Sequence, residues 1–106
     1  MLFRETLILA LIIYGVCAQF SKYFNKAQIS NGKVVVDHKW IQVWDIGDAW
    51  KHLNANQRLN RFKNVQSIKV QFECHVRFAP FKNPWNLETW RNDTNWLNVV
   101  LKGCNS

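Results

Sequence analysis

A chain of 106 residues leaves room for one domain. Its hydrophobic content of 48% excludes a disordered polar tract, and its aromatic share of 14% is high. The net charge of +7 draws it toward anionic partners without choosing among nucleic acid, acidic glycan, anionic lipid and acidic protein.

The first residues set the expected compartment. Met1 to Glu5 is a short flank with one Arg, Thr6 to Val16 is an apolar run, and Val16-Cys17-Ala18 offers small residues before Gln19. That three-part pattern predicts a secretory signal peptide over 1–18 and a single small secreted domain over 19–106. The unbroken apolar run, Leu7 to Ala18, has 12 residues, whereas a bilayer-spanning helix needs about 20. Removing 18 of 106 residues leaves 88, and because Arg4 and Glu5 leave together the net charge stays +7. Cys17 also leaves, so Cys74 and Cys104 remain and are expected to form one disulfide in an oxidising compartment. Asn92-Asp93-Thr94 is an acceptor sequon, which makes Asn92 the candidate glycosylation site of an exported chain.

In chain order, Phe20, Tyr23, Phe24 and Ala27 fall on one helical face, so 19–29 reads as a short amphipathic helix or an aromatic arm. Ser30-Asn31-Gly32 is a turn. Lys33 to Trp44 is β-rich, but its apolar parity changes near Asp37-His38-Lys39, which predicts a break there. Asp48 to Phe62 reads as a helix, opened by a capping Asp and closed by Arg58, Arg61 and Lys63.

The most regular stretch follows. Ile68, Val70, Phe72, Cys74, Val76 and Phe78 alternate with Lys69, Gln71, Glu73, His75 and Arg77, which predicts a long, half-buried antiparallel strand. Pro80 and Pro84 break regular structure, and Asn83-Pro84 is placed at the start of a helical turn running to Trp90. Asp93-Thr94-Asn95 is a turn, and Trp96 to Lys102 reads as a last strand. The expected fold is α+β: a small antiparallel sheet of about three to five strands with one main helix packed on it.

For chemistry, His38, His52 and His75 invite a nuclease or metal reading. They lack the short repeated spacing of a metal site, and nothing in the sequence brings them together for acid–base cleavage of RNA. No nucleophile elbow, phosphate loop or zinc-protease motif is present. No catalytic, metal or cofactor site is therefore assigned. No two Lys or Arg residues are adjacent, which disfavours a processed peptide precursor. The tryptophans carry more information. Trp85, Trp90, Lys82, Arg91 and Phe81 gather in the connection after the long strand and form the candidate binding set, against the plainer possibility that the indoles plug the core. Trp40, Trp44, Trp50 and Trp96 read as core. Arg58, Arg61, Lys63, Lys69 and Arg77 read first as a solvated face and second as an anion-attracting patch.

The expected function is a secreted, non-enzymatic binding or effector protein that contacts an extracellular protein or glycan through the Trp-rich loop and basic face. A cationic defence protein acting on an anionic membrane surface is the first alternative. A small secreted nuclease is the second, with nucleic acid the less favoured partner.

Overall fold

The computed structural model describes residues 19–105. The expected leader, 1–18 with Cys17, lies outside the described residues. The fold is α+β: a three-stranded antiparallel sheet, several helices and one disulfide. The elements are β1 (Phe24–Ser30), β2 (Lys33–His38), α1 (Ile46–Gln57), α2 (Val65–Phe78), β3 (Trp85–Glu88) and α3 (Trp96–Leu101), with short 3-10 turns at Val43–Asp45 and Leu59–Arg61.

The sheet order is β1-β2-β3, with β2 central. Asn31 and Gly32 close the first hairpin with positive φ angles of 52° and 73°, the Asn-Gly pairing that a two-residue turn between twisted strands requires. Ala27 and Ile29 of β1 pair with Val36 and Val34, and Val34 and Val36 pair with Leu87 and Trp85 of β3. These residues share one face of the sheet, and helices α1 and α2 cover it. Helix α1 contributes Ile46, Ala49, Trp50 and Leu53, which are spaced along one helical stripe. The break expected near Lys39 is where β2 ends. Residues 19–23 form a helical turn, but the chain then enters β1, so the expected N-terminal helix is confined to its first residues.

The most regular stretch of the sequence is a helix, not a strand. Helix α2 buries Ser67, Ile68, Gln71, Phe72, Cys74, His75 and Val76, whose spacing follows a 3.6-residue period. The alternation misleads because two buried positions are polar. Gln71 donates from Nε2 to the Glu88 carbonyl (2.9 Å), and its Oε1 accepts from the Glu88 amide (2.7 Å). One side chain thus satisfies the backbone of edge strand β3 as a neighbouring strand would. His75 donates from Nδ1 to the Gln71 carbonyl (2.7 Å). Burial holds the His75 ring below its ordinary pKa of 6.5; Lys82 and His38 push the same way, and the Gln71 bond opposes them.

Three further assignments change. The segment after Asn83-Pro84 is strand β3, not a helical turn, and a cis peptide bond precedes Pro84. Trp96 to Leu101 is helical. Asn95 caps it by accepting from the Asn98 amide (3.1 Å), so a local cap overrides the β-branched Val99-Val100 pair. The helix expected over 48–62 starts earlier and ends at Gln57, because Arg58 turns left-handed at φ 51°, ψ 52°. Cys74 and Cys104 form the expected disulfide, which ties α2 to the residues after α3 around Val99. Their sequence separation is 30, and closing a loop of that size stabilises by about 3–4 kcal/mol in the chain-entropy model.

Gln71→Leu keeps the volume but leaves a buried amide and carbonyl of Glu88 unpaired. Urea unfolding should show a loss of about 2–4 kcal/mol. Tyr23 donates its hydroxyl to Asp48 Oδ2 (2.6 Å), which raises the phenol from its ordinary 10.0 to about 12, with burial adding to the effect. That bond contributes fully below pH 10, where an unfolded phenol is also neutral, and its contribution is lost as pH rises through about 12. The same bond holds Asp48 below 3.8, so its contribution on that side is lost as pH falls beneath that value. Tyr23→Phe should therefore lower stability at neutral pH and remove the extra alkaline loss above pH 10 seen in wild type; denaturation across pH measures both.

Candidate binding surface

Strand β2 ends at His38, and the His38 ring organises one end of the molecule. It lies flat on Trp85, with centroids 3.5 Å apart and planes 14° apart. Its Nδ1 faces the Lys39 carbonyl at 2.8 Å and its Nε2 faces the Lys82 carbonyl. Two loops that are distant in sequence, 39–45 and 79–84, thus meet at one ring, which in its neutral form donates to one carbonyl and packs against the other. The backbone amide of His38 donates to Asn83 Oδ1 (3.1 Å), and Asn83 Nδ2 donates to Asp37 Oδ1 (2.9 Å). Hydrogen bonds from Asn83 and then Asn25 hold the Asp37 carboxyl below its ordinary 3.8. Trp85 completes the junction by donating from Nε1 to the Ala79 carbonyl (2.9 Å).

This junction sets two rings side by side at the surface. Trp40 is 55% exposed and Phe81 is 88% exposed, and their centroids are 5.3 Å apart. Lys39 and Lys82 adjoin them in sequence and are exposed. The Lys39 ammonium donates to the Ser21 carbonyl. Ile41 is buried and anchors the loop, while Val43 and Trp44 stand exposed beyond it.

The candidate set from sequence is divided by the sheet. Phe81 and Lys82 lie at the His38 end. Trp85 is 1% exposed and belongs to the core, where a partner cannot reach it. Trp90 and Arg91 lie at the opposite end of β2, because Glu88 pairs with Lys33 and Trp85 with Val36. The Trp90 ring covers the hairpin turn so closely that a Cβ on Gly32 would sit 3.3 Å from its Cε3. Arg91 lies over Trp90 at 5.8 Å and pairs with Glu88 Oε2 at 3.2 Å. Asn92 is exposed in the irregular segment after it. Trp40, Trp44 and Trp96, expected in the core, are exposed, whereas Trp50 is buried as expected. Trp96 is partly exposed and packs on Phe78 at 6.1 Å beside a groove lined by Val70, Glu73 and Arg77. The signal for Trp40 was the parity change at His38, which marks the end of the strand and so the start of a loop.

The histidines are closer than the sequence implied. His38 and His75 both touch Trp85, the latter at 5.8 Å, but both are buried. His52 sits apart on α1, 3.6 Å from Asp48. Among the described residues, no group of three or more His, Cys, Asp or Glu could hold a metal ion, and no helix is long and apolar enough to cross a membrane.

His38→Phe keeps the stack on Trp85 and removes the hydrogen bond that the ring donates to a loop carbonyl. The expected outcome is a loss of about 1–3 kcal/mol in stability. Nuclear Overhauser contacts between the Trp40 and Phe81 rings should weaken at the same time.

No curated protein and no solved structure matches this chain. Residues 33–106 match the profile of a family described as a protein of unknown function, DUF2599. That match takes in β2, the His38 junction, both loops and the disulfide, well over half of the chain, and the chain belongs to the DUF2599 family.

Proposed function

We propose that the chain is a secreted, non-enzymatic binding protein that grips an extracellular protein or glycan through Trp40 and Phe81, with Lys39 and Lys82 at their flanks. One observation carries this reading: two large rings stand exposed and adjacent on loops that a buried histidine holds in place. A single exposed ring is ordinary, but a contiguous apolar patch edged by charge marks a contact surface. Rings of this kind bury large area on binding while freezing few torsions, and fastened loops lose less entropy still. The Cys74–Cys104 disulfide supports export, because such bonds persist in oxidising compartments. An exposed Asn92 within its sequon fits glycosylation along that route.

Contact with an anionic membrane surface is the second reading. It is favoured by Val43 and Trp44, two further exposed apolar side chains in the segment that follows Trp40.

Saturable binding of the labelled full chain to cell surfaces tests both. Trp40→Ala/Phe81→Ala should weaken it at least about tenfold, while Trp90→Ala, at the other end of the sheet, leaves it unchanged. Protease or glycosidase treatment of the cells then distinguishes a protein partner from a glycan. Competition by anionic vesicles, with no effect of either enzyme, would replace this reading with the membrane one. Equal binding by a folded Trp40→Ala/Phe81→Ala variant would end both.

A further inference from the structure

The left-handed turn at Arg58 builds a second feature, away from the aromatic end. After α1 ends, the side chains of Asn54 and Asn60 clasp each other across the turn. Asn54 Nδ2 donates to Asn60 Oδ1 (2.9 Å), and the backbone N–H of Asn60 donates to Asn54 Oδ1 (3.0 Å). Leu59, fully buried, pins the middle of the loop. The turn beside the clasp forms an open groove of about 500 Å³ lined by Lys51, Asn54, Ala55, Arg58, Asn60 and Arg61.

Three cations and no carboxylate line this groove. Asp48 lies one helical turn before Lys51 and feels its charge, but its carboxylate accepts from Tyr23 and pairs with His52. Arg61 lies over the Phe62 ring at 5.0 Å. Positive charge suits the C-terminal end of a helix. The dipole effect falls off within a turn, however, and does not require three cations around one concave surface. Arg58 also holds a backbone conformation that a non-glycine residue adopts only at some cost.

We infer that this groove binds a sulfate group of a sulfated glycan. The guanidinium groups of Arg58 and Arg61 supply the forked donors that tetrahedral oxyanions accept, and Lys51 adds a third charge. One amide hydrogen of Asn54 and both of Asn60 take no part in the clasp, so the groove also carries neutral donors for sugar hydroxyls. No aromatic ring lines the groove, so it lacks the stacking platform on which single-stranded nucleic acid is held. This site is independent of Trp40 and Phe81, and its failure would leave the aromatic contact standing.

The test uses heparin as the probe and the full chain as the protein. Arg58→Gly/Arg61→Gln is the informative variant, because glycine relaxes the left-handed position and guards against loss of fold. Lys63→Gln/Lys69→Gln removes the same charge from exposed positions outside the groove. The groove variant should weaken heparin binding at least about tenfold and flatten its salt dependence, while the control changes it by less than about threefold. Desulfated heparin should bind at least about tenfold more weakly to wild type. Equal loss in the two variants would reduce the effect to net charge and overturn the site. An oligonucleotide that bound as tightly, with the same dependence on Arg58 and Arg61, would overturn the glycan in favour of nucleic acid. Absence of heparin binding at physiological salt would overturn the inference outright. Should the double variant unfold, Lys51→Gln alone decides, with a loss of at least about threefold expected and an unchanged affinity counting against the groove.

Discussion

The indole of Trp85 is where sheet, helix and loops meet. It stands on the edge strand β3, faces Phe72 of α2 edge-on at 6.0 Å, and carries the His38 ring flat on its surface. Its one polar atom donates to the Ala79 carbonyl, at the exit from α2. A ring of this size brings a large buried area, and its N–H must find a partner when buried. The end of α2, the start of β3 and the end of β2 are thereby set relative to one another. The His38 links to the Lys39 and Lys82 carbonyls depend on that stack, so the surface position of Trp40 and Phe81 traces back to a residue that never reaches solvent.

The same logic explains how much could be read in advance. Local chemistry was legible. Asn31-Gly32 specifies its turn whatever surrounds it, and the change of parity at His38 ends β2 where the residues say it should. The α+β class and the Cys74–Cys104 bridge also follow from the residues. The long alternation was misread because its helical face includes Gln71 and His75, and polarity alone placed these on a wet side. Gln71 is buried because the backbone of Glu88, 17 residues later, needs its amide. No pattern within the helix reveals a partner on another element. The tryptophans are not sorted by local pattern for a related reason. Whether Trp40 is exposed depends on Ile41 taking the buried place beside it, and whether Trp85 is buried depends on its pairing with Val36.

Charge is distributed unevenly between fold and surface. Asp37 accepts from Asn83 and Asn25, Asp48 accepts from Tyr23, and Glu73 and Glu88 pair with Arg77 and Arg91. The acids thus work largely inside the architecture or against a near neighbour. Lys51, Arg58, Arg61, Lys39 and Lys82 face outward with no carboxylate within ion-pair distance among the described residues. The excess of +7 is consequently a property of the surface, and a field of that sign would attract anions from beyond contact distance, more strongly at low salt.

The core and the exposed aromatic pair are built from different side chains. The core cluster runs through Val34, Val36, Leu53, Phe72 and Trp85, and neither Trp40 nor Phe81 belongs to it. The two exposed rings touch each other, and burying them would require the loops to leave their contacts with the His38 ring. Their exposure goes with the way the loop backbones pack against His38. A chain held this way can exchange the rings on its loops without disturbing what lies beneath, since the groups that position the loops are backbone carbonyls and a buried imidazole, and these are indifferent to the side chains at 40 and 81. The constraint runs in one direction only: Trp85 and His38 dictate where the rings stand, and the rings dictate nothing about Trp85 and His38.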